Sequence, residues 1–242
     1  MSYLVERMQL SDIPEVERIE RQSFSSPWSR YAYEHDLTDN KLAYYLVLRQ
    51  VGEEEAQETA RPEDKEQKAV SVPPGRQGMP SWLRAAAVLL GFKMRIQTPA
   101  APQPRPPILG FAGMWLMVEE AHLVTIAVDP MHRRKGLGEL LLAEMLDWAD
   151  RLGARVMTLE VRVSNLGAQA LYRKYGFITQ GLRKHYYSDN GEDALLMTTE
   201  PLTSPAFQGR LQRLKLELQE KLGQAVPPLL SNSALSARFQ LP

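Results

Sequence analysis

The sequence predicts a three-layer α/β domain with one long interruption. Three features point there. β-rich runs alternate with stretches of helical period, the last two β-rich runs are joined by a tight turn, and one central segment differs in composition from everything around it.

Met1 to Gln50 reads as structured. Tyr3 to Gln9 alternates like a strand. A helix then starts near Asp12, where Asp12 and Glu15 stand in capping-box spacing and Ile13, Val16 and Ile19 share one face. Pro27-Trp28-Ser29 opens a second helical turn, and Ala43 to Arg49 is β-rich. Val51 to Pro107 breaks the pattern. It is acidic at its start (Glu53, Glu54, Glu55, Glu58), proline-rich at its end, and holds 9 of the chain's 17 prolines. A segment so poor in apolar periodicity is expected to be a mobile insertion rather than a second domain. Only Pro80 to Ile96 has the make-up of a short helix. It reads either as a membrane-surface or partner-binding element, or as a small helix that packs on its own domain or does not form.

From Ile108 the chain is structured again. Ile108 to Val118 and His122 to Val128 read as strands joined by an acidic turn at Glu119-Glu120. Gly136 to Leu152 is an amphipathic helix with Leu137, Leu140, Leu141, Met145 and Trp148 at helical spacing, stopped by Gly153. Val156 to Val161 is a strand, Asn165 to Tyr175 a helix ended by Gly176, and Ile178 to Tyr187 a strand. Asp189-Asn190-Gly191 turns the chain into the last strand, Ala194 to Thr199. Pro205 to Gly223 carries Leu211, Leu214, Leu218 and Leu222, an appended amphipathic helix. The expected organisation is therefore one domain over residues 1–202, interrupted at 51–107, and a tail over 203–242.

Composition narrows the function. Lysine plus arginine and aspartate plus glutamate stand at 29 each, so there is no overall basic field for nucleic acid. With no cysteine there is no disulfide, no cysteine-ligated zinc and no thiol nucleophile, which fits a reducing compartment. No basic n-region precedes an apolar stretch at the N-terminus, and Trp82 to Phe92 is far short of the ~20 apolar residues a membrane span needs. A cytoplasmic location without a membrane span is the expectation.

The most informative stretch is Thr125 to Glu139: strand Thr125-Ile126-Ala127-Val128, turn Asp129-Pro130, then Arg133-Arg134-Lys135-Gly136-Leu137-Gly138 opening a helix. Glycines at a strand-to-helix junction let backbone N–H groups converge on an anion, and the helix N-terminus and basic side chains add positive charge. The alternative is an ordinary helix start in a basic turn. The Gly-Lys-Ser/Thr ending of a P-loop is missing, and so is the Gly-x-Gly-x-x-Gly of a dinucleotide fold.

These residues resemble a known family. Ile126-Ala127-Val128-Asp129-Pro130 followed by Arg133-x-x-Gly136-x-Gly138 is similar to the coenzyme A pyrophosphate loop of the GNAT acetyltransferases. Within that superfamily, Leu159-Glu160-Val161-Arg162 with Ser164-Asn165, then Ala170-Leu171-Tyr172 and Tyr175-Gly176-Phe177, resemble the ribosomal-protein-alanine N-acetyltransferases. Pro27-Trp28-Ser29, Tyr186-Tyr187 and Glu192-Asp193-Ala194 do so too. The resemblance covers Met1 to Arg49 and Ile108 to Leu202, roughly 60% of the chain, and leaves out the insertion and the tail.

The resemblance implies a GNAT-type three-layer fold with a mixed, mostly antiparallel central sheet, and an enzyme using acetyl-CoA as cosubstrate without a metal. Its acceptor would be the N-terminal α-amine of a protein, an N-terminal alanine of a small-subunit ribosomal protein in particular. Ile126, Ala127 and Val128 would offer backbone groups to the pantetheine arm like an added strand. Arg134, Lys135, Gly136, Leu137, Gly138 and Glu139 would wrap the pyrophosphate. Glu160 would be the general base, Asn165 a polar contact to the cofactor, and Tyr172 the acid that protonates the leaving thiolate. One departure from the family pattern is Arg133-Arg134-Lys135-Gly136, which is more basic and implies stronger phosphate affinity with unchanged chemistry.

Elementary chemistry supports these roles from another side. Amine acetylation needs a neutral amine beside a thioester, so a base accepts a proton and an acid can return one to sulfur. Glu160 lies in an apolar strand, where a carboxylate is costly unless used or paired, with Arg162 or Lys174 as the obvious partners. Tyr172 reads equally as a buried core tyrosine. His122, His132 and His185 lack metal-ligand spacing and read as structural or surface residues. Deprotonating an α-amine of pKa ~8 at pH 7 costs about 1.4 kcal/mol, against about 4.6 for a lysine at ~10.4, which favours an N-terminal acceptor. Two other readings stand beside this one. A small-amine (polyamine or aminoglycoside) acetyltransferase would gather Glu119, Glu120 and Asp193 into an acidic pocket. A non-catalytic acyl-CoA-binding partner protein would use the insertion and tail helix as its surface.

Overall fold

The computed structural model describes residues 2–52 and 105–223. Of the insertion expected at 51–107, residues 53–104, with the short helix at Pro80 to Ile96, lie outside the described residues, as does the tail beyond Gly223, while Val51 belongs to β2.

The described chain forms a seven-stranded sheet of order β1-β2-β3-β4-β5-β7-β6. The strands are β1 (Ser2–Arg7), β2 (Ala43–Val51), β3 (Ile108–Met117), β4 (Glu120–Val128), β5 (Val156–Arg162), β6 (Phe177–Tyr187) and β7 (Glu192–Thr199). Every neighbouring pair is antiparallel except β4 and β5. The helices are α1 (Ile13–Ser23), α2 (Arg30–Thr38), α3 (Leu137–Arg151), α4 (Leu166–Lys174) and α5 (Pro205–Leu222).

Strand alternation sorts the core into two halves. Tyr45, Val47 and Phe111 join Ile13, Val16 and Ile19 of α1 and Tyr33 of α2 on one face. Leu46, Leu48, Ala112 and Met114 join Leu141, Met145 and Trp148 of α3 and Leu211, Leu214 and Leu218 of α5 on the other. Helices on both faces of a mixed sheet are the three layers the pattern predicts. α3 is buried around most of its circumference because the sheet lies on one side and α5 on the other, so its polar Glu144 is buried as well.

One local expectation gives way to tertiary contacts. Asp12 is the N-cap residue of α1, but its carboxylate forms no cap bond. Oδ2 accepts from Gln9 N–H at 2.8 Å, and Oδ1 pairs with Arg49 Nη2 at 2.5 Å. Glu15 Oε2 accepts from the Ile108 N–H at 2.9 Å instead of closing a capping box. Arg49 is buried at 2% exposure and also reaches Glu6 (2.7 Å) and the Pro106 carbonyl (2.5 Å). A buried guanidinium outcompetes a helix N-terminus for a carboxylate because its desolvation cost is larger.

Two irregularities shape the site. In the β3–β4 ladder Gly113 pairs with Thr125 but Met114 with Leu123, so β4 carries one extra residue, Val124, and bends there. The parallel β4–β5 pairing runs only from Glu120–Val156 to His122–Thr158. Beyond His122 the two strands part.

Candidate active site

The parting of β4 and β5 opens a cavity of about 640 Å³ in the middle of the sheet. β4 from Leu123 to Val128 forms one wall and β5 from Leu159 to Arg162 the other. Of the residues singled out in the sequence, Ile126, Ala127, Val128, Gly138, Glu160, Asn165 and Tyr172 line this cavity together. With β3 on one side of β4 and β7 on one side of β5, the facing backbone edges have no strand partner along the opening. That is where an extended chain of alternating amides would pair.

At the mouth stands the N-terminus of α3. Its N-cap is Gly136 at φ 91°, a left-handed conformation that glycine adopts without strain, and Arg134 before it takes φ 65°. The members of the basic turn have separate fates. Leu137 is buried in the core, so only its backbone can face a ligand. The Glu139 carboxylate bonds Lys174 Nζ at 2.5 Å and the Tyr175 hydroxyl at 3.3 Å, again leaving its backbone. Arg133 is turned to the Ser23 hydroxyl (3.0 Å) and the Val128 carbonyl (3.1 Å). Arg134, Lys135, Gly136, Leu137 and Glu139 lie outside the cavity lining itself. Asn165 caps α4 through Oδ1, which accepts from Ala168 N–H at 3.1 Å, so its amide N–H groups are what it can offer a cofactor.

Glu160 sits in the throat with its side chain 6% exposed. Its partners are neither Arg162 nor Lys174. Oε2 lies 2.8 Å from His122 Nε2 and Oε1 2.9 Å from Arg183 Nη2. Arg162 instead reaches Asp189 and Glu192. Burial pushes the Glu160 carboxyl up. The His122 hydrogen bond and the charges of His122 and Arg183 together outweigh it, and the group is held below its ordinary value.

His122, read from the sequence as a structural or surface residue, lines the cavity beside Glu160. Its Nδ1 lies 3.0 Å from Thr158 Oγ1, and the Thr158 hydroxyl donates to Glu120 Oε1 at 2.6 Å. A continuous polar chain thus runs Glu120–Thr158–His122–Glu160–Arg183. Metal spacing was the wrong test for His122, and simple alternation would have misled: the bulge at Val124 puts it on the β4 face of Thr125 and Ala127 rather than that of Ile126 and Val128.

Tyr172 is buried against Phe177, ring centroids 5.6 Å apart. Burial, with the nearby Tyr187, pushes its phenol well above the usual range. Such a hydroxyl keeps its proton and acts first as a hydrogen-bond donor. Tyr187 is itself pushed up to about 12 by burial. On the far rim the Arg162 guanidinium lies 3.8 Å over the Tyr187 ring, and the Ser25 hydroxyl donates to Asp189. The α1–α2 loop carrying Pro27-Trp28-Ser29 is thereby tied to the β6–β7 turn. Glu20, buried beneath it, accepts from Trp28 N–H and the Tyr33 hydroxyl, both at 3.0 Å, and burial raises its pKa. Glu119, Glu120 and Asp193 do not line the cavity. Among the described residues no group of three or more acidic or histidine side chains is placed to hold a metal, and no helix is long and apolar enough to cross a membrane.

Comparison with known proteins gives this architecture its class. The pattern of the Acetyltransferase (GNAT) family matches residues 103–177, the stretch from the start of β3 through both walls of the cavity to α4. Fold and match together define an acetyl-CoA-dependent N-acetyltransferase. A Bacillus subtilis protein, provisionally named a [ribosomal protein bS18]-alanine N-acetyltransferase, is 32% identical over 193 residues, which is 80% of this chain and 92% of that protein. The Escherichia coli K12 [ribosomal protein bS18]-alanine N-acetyltransferase is 43% identical over 89 residues, 36% of this chain and 60% of its own. The crystal structure of the Escherichia coli ribosomal-protein-S18-alanine N-acetyltransferase superposes with a TM-score of 0.57 at 24% identity. It covers 84% of this chain and 96% of that one, a likeness of fold. The chain belongs to the GNAT acetyltransferases, among the relatives of the ribosomal-protein-alanine N-acetyltransferases.

Proposed function

We propose that this enzyme acetylates the N-terminal α-amine of a protein, with the N-terminal alanine of a small-subunit ribosomal protein as its substrate and the cytoplasm as its place of action. The observation that carries the reading is Glu160, held by His122 and Arg183 in the throat of the β4–β5 opening. The two relatives named for bS18-alanine acetylation support the choice of substrate.

In this reading acetyl-CoA lies along β4, its pantetheine amides pairing with the backbone of Ile126, Ala127 and Val128. Its pyrophosphate rests on the Arg134–Glu139 turn, and Asn165 donates to it from the facing side. The substrate amine enters past the Ser25–Asp189 rim. Its nitrogen attacks the thioester carbonyl carbon, a C–N bond forms and the C–S bond breaks. The ammonium proton goes to Glu160, and the sulfur leaves as a thiolate that accepts a hydrogen bond from the Tyr172 hydroxyl. With no cysteine to carry an acyl group, transfer is direct. A carboxylate held below its ordinary value is a weak base, adequate for an α-amine of pKa ~8 and poorly matched to a lysine at ~10.4. Glu119, Glu120 and Asp193 stand outside the cavity lining, which favours this reading over a polyamine acceptor.

The test is a panel of synthetic peptides differing in their first residue, with one blocked at its N-terminus and carrying an internal lysine, read by mass spectrometry. Acetylation at the α-amine of alanine-initiated peptides is expected. Modification of the blocked peptide's lysine at a comparable rate overturns the reading.

A further inference from the structure

α5 lies beyond the segments whose motifs identify the family, yet it is fastened to the domain at several points. Leu211, Leu214 and Leu218 are buried against the core. Lys215 Nζ reaches Glu144 Oε1 (3.2 Å) and Asp147 Oδ2 (3.5 Å), and Gln208 Nε2 donates to Asp150 at 3.0 Å. The Arg210 guanidinium fills the space where a Cβ at Gly176 would stand. These fastenings set the position of the last turn of α5. It comes to the cofactor turn: a Cβ built on Gly136 would lie 3.3 Å from Leu218 Cδ1, 3.6 Å from Leu222 Cδ2 and 3.7 Å from Lys221 Nζ.

We propose that α5 completes the acetyl-CoA site, with Lys221 supplying positive charge to the cofactor's phosphates beside Arg134 and Lys135. This rests on the reading that the Arg134–Glu139 turn holds those phosphates. Three observations favour it. First, the other cations nearby are spent: Arg133 on Ser23 and Val128, Lys174 on Glu139, Lys215 on Glu144 and Asp147. Among the described residues, Arg134, Lys135 and Lys221 have no carboxylate partner. Second, the nearby acids are accounted for. Glu217 lies 3.6 Å from Arg213, Glu139 is neutralised by Lys174, and Glu220 is exposed on α5 itself. Third, α5 presents its C-terminal end, capped by Gly223 at φ 69°, to this turn. A helix C-terminus carries partial negative charge and is unfavourable next to a pyrophosphate. A lysine in that last turn reverses the sign of the end the cofactor meets.

The pyrophosphate and the 3′-phosphate present the same chemistry, so the experiment separates them. Calorimetric titration of acetyl-CoA and of 3′-dephospho-CoA is carried out on the full chain and on Lys221→Ala and Lys221→Arg, at low salt and at about 0.5 M. At low salt Lys221→Ala is expected to bind acetyl-CoA about fivefold more weakly. Lys221→Arg should restore most of that, the difference should vanish at high salt, and the unliganded melting temperature should not move. A loss that persists with dephospho-CoA places Lys221 on the pyrophosphate, and a loss that disappears places it on the 3′-phosphate. Wild-type affinity in Lys221→Ala at low salt overturns the proposal. Failure of the unmodified chain to bind acetyl-CoA would instead sink the reading of the turn.

Discussion

Replacing Glu160 with glutamine keeps the side chain's size and removes its charge, which makes it the sharpest probe of the proposed chemistry. The carboxylate accepts from both His122 (2.8 Å) and Arg183 (2.9 Å), whereas a glutamine amide can accept on one side only. The working magnitude comes from the base's own weakness. A carboxyl held below an ordinary glutamate's ~4.3 and an α-ammonium near 8 differ by at least ~3.7 pKa units, about 5 kcal/mol for direct transfer. Capture of the free amine present at pH 7 costs only about 1.4 kcal/mol. The proposed base is therefore useful for taking the proton as the C–N bond forms, when the nitrogen has become far more acidic. Losing a positioned base of this kind lowers turnover by roughly 10²–10⁴ at pH 7. A pH–rate profile with an alanine-initiated peptide, alongside acetyl-CoA affinity by calorimetry, checks both halves. The deficit should shrink toward pH 9, as unprotonated amine and hydroxide take over, with affinity unchanged. Wild-type turnover at pH 7 refutes the assignment. A constant deficit from pH 7 to 9 would show that Glu160 orders the throat rather than moving a proton.

Tyr172→Phe should lower turnover while leaving acetyl-CoA affinity within a few-fold, because only the developing thiolate calls on the hydroxyl; single-turnover kinetics separates the two. Gly136→Asp forces a Cβ into φ 91° at 3.3 Å from Leu218 and adds negative charge at the proposed phosphate turn, so calorimetry should show acetyl-CoA affinity largely lost. Deleting residues 54–103 and joining the ends with a glycine–serine turn should preserve cofactor binding and shift the melting temperature by only a few degrees. Arg49 and Ile108 are already paired across β2 and β3, and Arg105 to Pro107 must stay because buried Arg49 holds the Pro106 carbonyl. Burial raises the Glu144 pKa despite Lys215, so its contribution to stability is full below an unfolded value near ~4.3 and is lost as pH rises through the folded value. Glu144→Gln should flatten that fall in denaturant titrations run from pH 4 to 7.

What the sequence made legible was everything set by local order. The leucine period of α3 between Gly136 and Gly153, the Asp189-Asn190-Gly191 turn and the stripe of α5 all rest on near neighbours, and each is present. The partners of Glu160 were hidden for the opposite reason. His122 is 38 positions earlier on a strand that meets β5 over three residue pairs, and Arg183 arrives because β7 separates β5 from β6 in the sheet. Sequence neighbours Arg162 and Lys174 were plausible candidates, but strand direction sends Arg162 to the β6–β7 turn and α4 sends Lys174 to Glu139. The capping box at Asp12 and Glu15 failed likewise, because Arg49 and the Ile108 N–H are closer claims on those carboxylates than the helix start. The docking of α5 beside Gly136 could not be read from either segment alone.

The parting of β4 from β5 also means that this protein, when empty, carries a raw sheet edge in its interior rather than at its border. Border edges are shielded by charge, proline or short length, whereas this one is kept open for a guest. In the proposed binding mode the guest's amides would finish the hydrogen bonding that the polypeptide leaves undone, so acetyl-CoA would serve as a missing piece of secondary structure as well as a reagent. A ligand held only by the folded form adds about 2.7 kcal/mol of stability at a hundred times its dissociation constant. The lifetime of the enzyme in a cell would then follow the supply of its own substrate: scarce acetyl-CoA leaves more molecules with an exposed seam for proteases and for each other.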